Sequence, residues 1–424
     1  MDKIHVKFCP SFHRILDGKV NSASDFNENL YKKSIKYCKQ TKLYETIIMY
    51  DVVISGAGPS GSHCARILAE AGYKVALIEK DTNWRKPCGG SVSSKIIELY
   101  PQINKLKIAK IKGTKIYSAN LHFLTHKRND NLHSAVVDRL EFDNLIRNIA
   151  VEKGAELFDN NVSYDFVIKE GRKRGIKTKS KEGIKEYYGK ILILADGMSS
   201  KLALRTGLRS KWDLKDITIS KCAIMEGKNN LDYEYIYLFF QSYMGYGWIF
   251  PLGENQFNIG CGAPGEVVSK VNLHKMYERF INNPYIKKKY LTSDFKIIWS
   301  ASYPLAMNGI LEEFLYSDNL MCIGDVAGYI SPVTGEGIYQ SMYSAKAAAE
   351  VAIQALEKEE YSKETLRVYK NHPVVKNMRK VFRTLLRLRD FLYVEQGKNL
   401  NEMFERAEKD PEYREKALNM FFLK

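Results

Sequence analysis

Gly56-Ala57-Gly58-Pro59-Ser60-Gly61 follows a short apolar run, Tyr50-Asp51-Val52-Val53-Ile54-Ser55, and opens a stretch of helix-forming residues that stops at Gly72. Lys74-Val75-Ala76-Leu77-Ile78-Glu79 then reads as a second strand. No other feature restricts the fold so sharply. Strand, glycine turn, helix and strand in this order make a βαβ unit, with parallel strands and a right-handed crossover. Gly56 permits the tight turn, Gly58 lets backbone approach a pyrophosphate, and Gly61 lets the helix pack close to the strand, so that N–H groups at the helix start face phosphates.

Glu79 ends the second strand, where it can accept hydrogen bonds from ribose hydroxyls, and Lys80 follows it. An acid at this place favours adenosine with a free ribose, which means FAD or NAD rather than a 2′-phosphorylated cofactor. Two later motifs bear on that choice. Ala195-Asp196-Gly197 ends the buried strand Ile191 to Ala195, and Gly324-Asp325-Val326-Ala327-Gly328 ends the strand Asn319 to Gly324. Pro332-x-x-Gly335-x-Gly337-Ile338 then starts a helix. Each places a carboxylate or a helix N-terminus at the carboxyl edge of a parallel sheet, where ligands bind.

Together with Arg139-x-x-Phe142-Asp143, these motifs resemble the flavoprotein hydroxylase superfamily. The resemblance implies FAD, with Asp325 at the ribitol and the Gly335 to Gly337 turn near the flavin ring. Within that superfamily, Pro87-Cys88-Gly89-Gly90 and Tyr246-x-Trp248-x-Phe250-Pro251 resemble the geranylgeranyl reductase family, notably archaeal digeranylgeranylglycerophospholipid reductases. Flavin-dependent tryptophan halogenases carry Trp-x-Trp-x-Ile-Pro instead, and Tyr246 and Phe250 stand at the differing places. The likeness runs from about Met49 to at least Glu350.

What it implies is saturation of isolated C=C bonds in geranylgeranyl chains, on isoprenoid ether phospholipids or on geranylgeranyl diphosphate. A trisubstituted alkene without a neighbouring carbonyl is a poor hydride acceptor, so positive charge develops on its more substituted carbon. Aromatic faces attract such charge without trapping it. Tyr246, Trp248 and Phe250 alternate on one face of a strand, and with Cys88 they form the expected catalytic set. The expected cofactor residues are Gly56, Gly58, Pro59, Ser60, Gly61, Glu79, Lys80, Cys88, Gly89, Gly90, Arg139, Asp196, Gly197, Gly324, Asp325, Gly335, Gly337 and Ile338. No metal is expected: the seven cysteines are scattered, without a C-x-x-C pair or zinc-like clustering.

The fold class expected is α/β: a Rossmann-type FAD-binding domain with an inserted antiparallel-sheet substrate domain and a helical C-terminal region. The FAD-binding domain takes residues 49–90, 131–216 and 304–357, and the substrate domain 91–130 and 217–303. Helices fill 358–424, and 1–48 form an N-terminal extension. The span from Val162 to Tyr188 reads as a hairpin with turns at Glu170-Gly171 and Glu182-Gly183. Val374 to Leu392 carries Val374, Met378, Val381, Phe382, Leu385, Leu386 and Leu392 on one stripe amid many cations. Core packing is the favoured reading of that stripe, ahead of docking on an anionic membrane.

Lysine and arginine number 65 against 49 acids, a net charge of +16. That excess suits a phosphate-bearing lipid or an anionic surface, and no nucleic-acid motif accompanies it. No apolar run approaches ~18 residues, so membrane contact would be peripheral. The expected location is the cytoplasm, with contact at the inner face of the cell membrane. No second strand-G-x-G-x-x-G-helix unit follows, so the electron donor is external: NAD(P)H, a ferredoxin or another low-potential carrier. The rival activities are an FAD-dependent monooxygenase or epoxidase on a large apolar substrate and a non-catalytic prenyl-binding escort.

Overall fold

The first strand, Met49–Ser55, lies at the middle of the main sheet with every side chain from Val52 to Ser55 buried except the Gly56 turn that follows. Its neighbours are Gly183–Leu194 on one side and Val75–Ile78 on the other, both parallel to it. Leu320–Cys322 and Glu156–Phe158 extend the parallel core outward. Helices Pro59–Glu70, Arg139–Glu152 and Ile338–Glu357 cover it. The near-continuous Val, Ile and Leu of these strands is what a sheet buried on both faces requires. The computed structural model describes residues 48–127, 133–209, 211–291 and 294–422. Apart from Ile48, the extension expected over residues 1–48 lies outside the described residues.

The hairpin forms as Val162–Lys169 and Arg172–Ser180, with Glu170 and Gly171 both at positive φ. That is the backbone a right-twisted two-residue hairpin turn needs. The third limb does not stop at Tyr188. It runs without a break from Gly183 to Leu194, so one strand belongs to both the hairpin and the buried sheet.

The second sheet has seven strands in the order Lys296–Ala306, Ile217–Glu226, Gln256–Pro264, Tyr246–Gly253, Tyr235–Phe240, Gly113–Tyr117 and Phe123–Lys127. It is antiparallel except at one seam, where Tyr235–Phe240 pairs parallel with Gly113–Tyr117. That seam joins strands from distant parts of the chain. A third, small sheet pairs Ser134–Val137 with Ser91–Val92 and Ile108–Ile111. It ties residues on both sides of position 131 into one element.

The helix Pro373–Leu392 packs by a line slightly rotated from the expected one. Val375, Met378, Phe382, Leu385, Leu388 and Leu392 are buried, whereas Val374, Val381 and Leu386 are half-buried at its edges. Residues spaced three and four apart share a helical face, and what packs against the helix selects which such line turns inward. Among the described residues no helix is long and apolar enough to cross a membrane.

His63, inside the Pro59–Glu70 helix, is buried and shares a 2.6 Å hydrogen bond with the Tyr100 hydroxyl. Burial, aided by Arg66 and Lys346, lowers it from 6.5 to about 3. The unfolded chain therefore takes up a proton between those values that the folded one refuses. Stability from this site is intact above pH 6.5 and falls as the pH drops toward 3. Between pH 7 and pH 4 the loss should be about 3 kcal/mol. Urea titrations of the wild type and His63→Leu across that range check it: the wild type's advantage should shrink by this order as the pH falls.

Candidate active site

One cavity of about 640 Å³ begins at the Gly-rich turn and ends among the side chains of the second sheet and the C-terminal helices. Its position follows from the sheet. Gly56 receives the chain from the first strand, and its N–H donates to the Ile78 carbonyl at 2.8 Å. The helix Pro59–Glu70 starts beside it with Pro59 at its first position and no side-chain cap, leaving first-turn N–H groups available. Gly58, Pro59 and Ser60 line the cavity, and a Cβ built on Gly58 would meet nothing within 4 Å. The turn is a cradle open to a ligand.

Glu79 fastens this turn. One carboxylate oxygen accepts the Ala57 N–H at 2.7 Å; the other accepts those of Lys80 at 2.9 Å and Asp81 at 3.2 Å. Across the cavity, Asp196 takes the Ser200 hydroxyl at 2.7 Å on one oxygen, while the other is buried without a hydrogen-bond partner. Burial, the largest influence, pushes this carboxyl up to about 6. An orphaned acceptor on a cavity wall is the kind of group a polar ligand satisfies.

Asp325 is ion-paired to Lys86, a residue the sequence reading did not single out. Burial is the largest single influence and would lower the Lys86 ammonium, but the charge and hydrogen bond of Asp325 together with Tyr303 outweigh it, and the net direction is up. Arg139 is buried and held by both oxygens of Asp143, at 2.9 and 2.8 Å. Here too burial is the largest single influence and opposes the charge, and Asp143 together with the nearby Cys88 outweighs it, holding the guanidinium above its ordinary value. Arg147, two turns further along the same helix, reaches the Ala57 carbonyl of the Gly-rich turn at 3.3 Å. It lines the cavity and was not anticipated; its spacing of eight from Arg139 was the available signal.

Gly89, Gly90, Cys88, Lys80, Gly197, Gly335, Gly337 and Ile338 also line the cavity. Gly61 and Gly324 do not: they sit behind its wall, where helix, strand and loop touch. Glu336, another unanticipated residue, opens into the void.

At the far end Tyr246, Trp248 and Phe250 all face the cavity, with ring centroids 6.0 and 6.3 Å apart. The indole N–H of Trp248 donates to Asn258 at 2.8 Å, and Asn258 donates to the Cys88 carbonyl at 2.9 Å. Trp248 thus fixes the Cys88-Gly89-Gly90 loop through one asparagine. Gly260 faces Trp248 across the strands, and its missing side chain makes room for the indole. The Tyr246 hydroxyl donates to the Thr334 carbonyl; burial first, then the nearby Cys88, raises it above its ordinary value. Val381, Phe382, Leu385 and Phe421 close the apolar end. These come from the C-terminal helices, whose contribution to the cavity the sequence reading missed.

A nucleotide cradle running into an apolar aromatic chamber is the architecture of a flavin-dependent oxidoreductase, and the family described as FAD binding domain matches residues 49–380. The cofactor is FAD, and the open Gly58 cradle, the tethered Glu79 and the orphaned Asp196 oxygen fit it. The digeranylgeranylglycerophospholipid reductase of Picrophilus torridus is 32% identical over 346 residues, covering 76% of this chain and 82% of that one. The protein of the same name from Methanocaldococcus jannaschii is 32% identical over 342 residues, covering 76% and 81%. The chain belongs to the digeranylgeranylglycerophospholipid reductase family.

Among solved structures, a geranylgeranyl bacteriochlorophyll reductase-like protein of Thermoplasma acidophilum superposes with a TM-score of 0.75 at 26% identity, covering 84% of this chain and 91% of that one. A flavin-dependent brominase, at 20% identity and a TM-score of 0.70 over 87% of this chain and 93% of its own, shares the fold.

Proposed function

We propose that this chain saturates isolated C=C bonds in geranylgeranyl chains carried on isoprenoid ether phospholipids. The observation that carries the reading is the single cavity joining the FAD cradle to the chamber of Tyr246, Trp248 and Phe250. FAD, when bound and reduced, supplies hydride to one carbon of the alkene. The chain's own residues do the rest. Gly56, Gly58, Pro59 and Ser60 hold the pyrophosphate at the helix start, and Glu79 takes the ribose. Asp325, with its charge balanced by Lys86, meets the ribitol, and Gly335, Gly337 and Ile338 back the flavin ring.

The aromatic triplet positions the alkene and shields positive charge as it develops. Because Asn258 engages the Trp248 N–H and Thr334 engages the Tyr246 hydroxyl, the rings offer faces rather than nucleophiles. Their burial excludes water, which would otherwise capture the developing cation. Cys88 lines the same cavity, and its thiol is the group we assign to give the second carbon its proton. Cys88→Ser should keep the visible absorbance of FAD while alkene turnover falls at least about ten-fold; unchanged turnover would remove Cys88 from the reaction.

In this reading residues 49–90, 131–216 and 304–357 hold the cofactor, and 91–130 and 217–303 hold the substrate together with Val381, Phe382, Leu385 and Phe421 of the C-terminal helices. Electrons come from an external donor, NAD(P)H, a ferredoxin or another low-potential carrier. The protein works in the cytoplasm, at the inner face of the cell membrane, because its lipid substrate resides there. Mass spectrometry of lipids from cells making this chain alongside unsaturated prenyl ether lipids tests the function. Each saturated bond adds the mass of two hydrogen atoms, and an unshifted lipid profile in cells containing the yellow holoprotein would refute it.

A further inference from the structure

The helix Pro373–Leu392 has two unlike faces. Inward, Val381, Phe382 and Leu385 form part of the apolar cavity wall. Outward, Lys376, Lys380, Arg383 and Arg387 follow one another at spacings of four, three and four, so they share one exposed stripe. The stripe continues into Phe391, 57% exposed, and Val394, 47% exposed.

Most cations around this helix have partners. Arg379 and Arg383 both pair with Glu312 at 2.6 Å, and Arg389 donates to the Met307 carbonyl at 3.0 Å. Lys376, Lys380 and Arg387 have no carboxylate partner among the described residues. Three unpaired cations leading to a bare phenylalanine and valine are poorly matched to water alone. They match a surface that offers phosphates to the cations and an apolar layer beneath for the rings and methyls.

We propose that this outer stripe, Lys376, Lys380 and Arg387 with Phe391 and Val394, docks the protein on an anionic phospholipid surface. The same helix then stands between that surface and the apolar end of the cavity. The inference rests on the proposed lipid substrate for its purpose, but its test uses neither substrate nor turnover. An acidic electron-carrier protein could also cover three cations, yet it gives no account of the exposed Phe391 and Val394.

The test is co-sedimentation of the FAD-loaded protein with vesicles of phosphatidylglycerol and phosphatidylcholine in roughly equal parts, against phosphatidylcholine alone, at about 0.1 M salt. The wild type should bind the anionic vesicles and release them as salt rises. Lys376→Gln, Lys380→Gln and Arg387→Gln together should weaken that binding about a hundred-fold. Phe391→Ala should weaken it several-fold with little change in salt dependence. Flavin absorbance and melting temperature should stay as in the wild type, because these side chains touch neither cavity nor core. Equal vesicle binding by the wild type and the triple variant would overturn the proposal. So would equal binding to neutral and anionic vesicles, or a triple variant impaired only in accepting electrons from its donor.

Discussion

Gly61→Ala should yield a protein that binds FAD at least about a hundred-fold more weakly and melts well below the wild type. A Cβ built on Gly61 lies 1.9 Å from the Gly56 carbonyl oxygen, 3.0 Å from its carbon and 3.1 Å from the Ala195 Cβ. The obstructing atoms are mostly backbone, so no side-chain rotation relieves the clash. The turn cannot retreat either. Gly56 sits at a φ of +97°, its N–H is bonded to Ile78, and its own Cβ position lies 2.5 Å from the Ala195 oxygen. The helix must therefore move outward, carrying its first-turn N–H groups away from the cradle. Overpacking of this kind costs about 1–3 kcal/mol or more in stability, and loss of the phosphate-facing geometry adds the binding defect. The ratio of flavin to protein absorbance, with a thermal melt, checks both. Wild-type flavin content would mean that close helix–strand approach does not build the site.

Trp248→Leu should reduce alkene turnover about thirty-fold or more while FAD content and reduction by dithionite stay near normal. The indole is 7% exposed, lines the cavity, and stands between Tyr246 and Phe250. Leucine keeps apolar volume but removes the π face, whose attraction for a desolvated cation is about 2 kcal/mol, or about thirty-fold in rate. It also strands Asn258, which would no longer receive the indole N–H while still holding the Cys88 carbonyl. Trp248→Phe should recover part of the rate because it restores a ring. Trp248→Ala removes more volume and should add about 3–5 kcal/mol of cavity destabilisation, so leucine is the cleaner variant. Equal loss of FAD and turnover in Trp248→Leu would assign the residue to packing alone.

Both predictions concern residues visible in the bare sequence, and the reason is local. The Gly56 to Gly61 turn with Glu79, and the alternating Tyr246, Trp248 and Phe250, form patterns within short stretches of chain, so spacing exposes them even though Ala195 and Thr334 complete their contacts from far away. Where a residue acts through a partner far away, spacing says little. Lys86 matters through Asp325, and Phe421 through Phe240 and Phe404, at ring separations of 5.5 and 5.8 Å. Neither pairing leaves a local pattern.

The parallel seam between Gly113–Tyr117 and Tyr235–Phe240 is the same case at the level of the sheet. Each strand looks ordinary, and nothing in either names its partner. The C-terminal helix shows an intermediate situation. Its amphipathic character was legible, but Val375 and Leu388 rather than Val374 and Leu386 joined the buried line. With apolar residues on more than a third of its circumference, the helix could turn either way, and the neighbouring cavity wall fixed the choice.

An anaerobic single turnover tests the reductase reaction most directly. Holoenzyme reduced with dithionite and freed of excess reductant is mixed, without oxygen, with an ether phospholipid bearing geranylgeranyl chains. Oxidised flavin absorbance should return at the rate at which bonds are saturated, one bond for each flavin reoxidised. Flavin that stays reduced until oxygen is admitted, followed by a product that carries oxygen, would contradict the reductase and place the chain among the oxygenating flavoproteins.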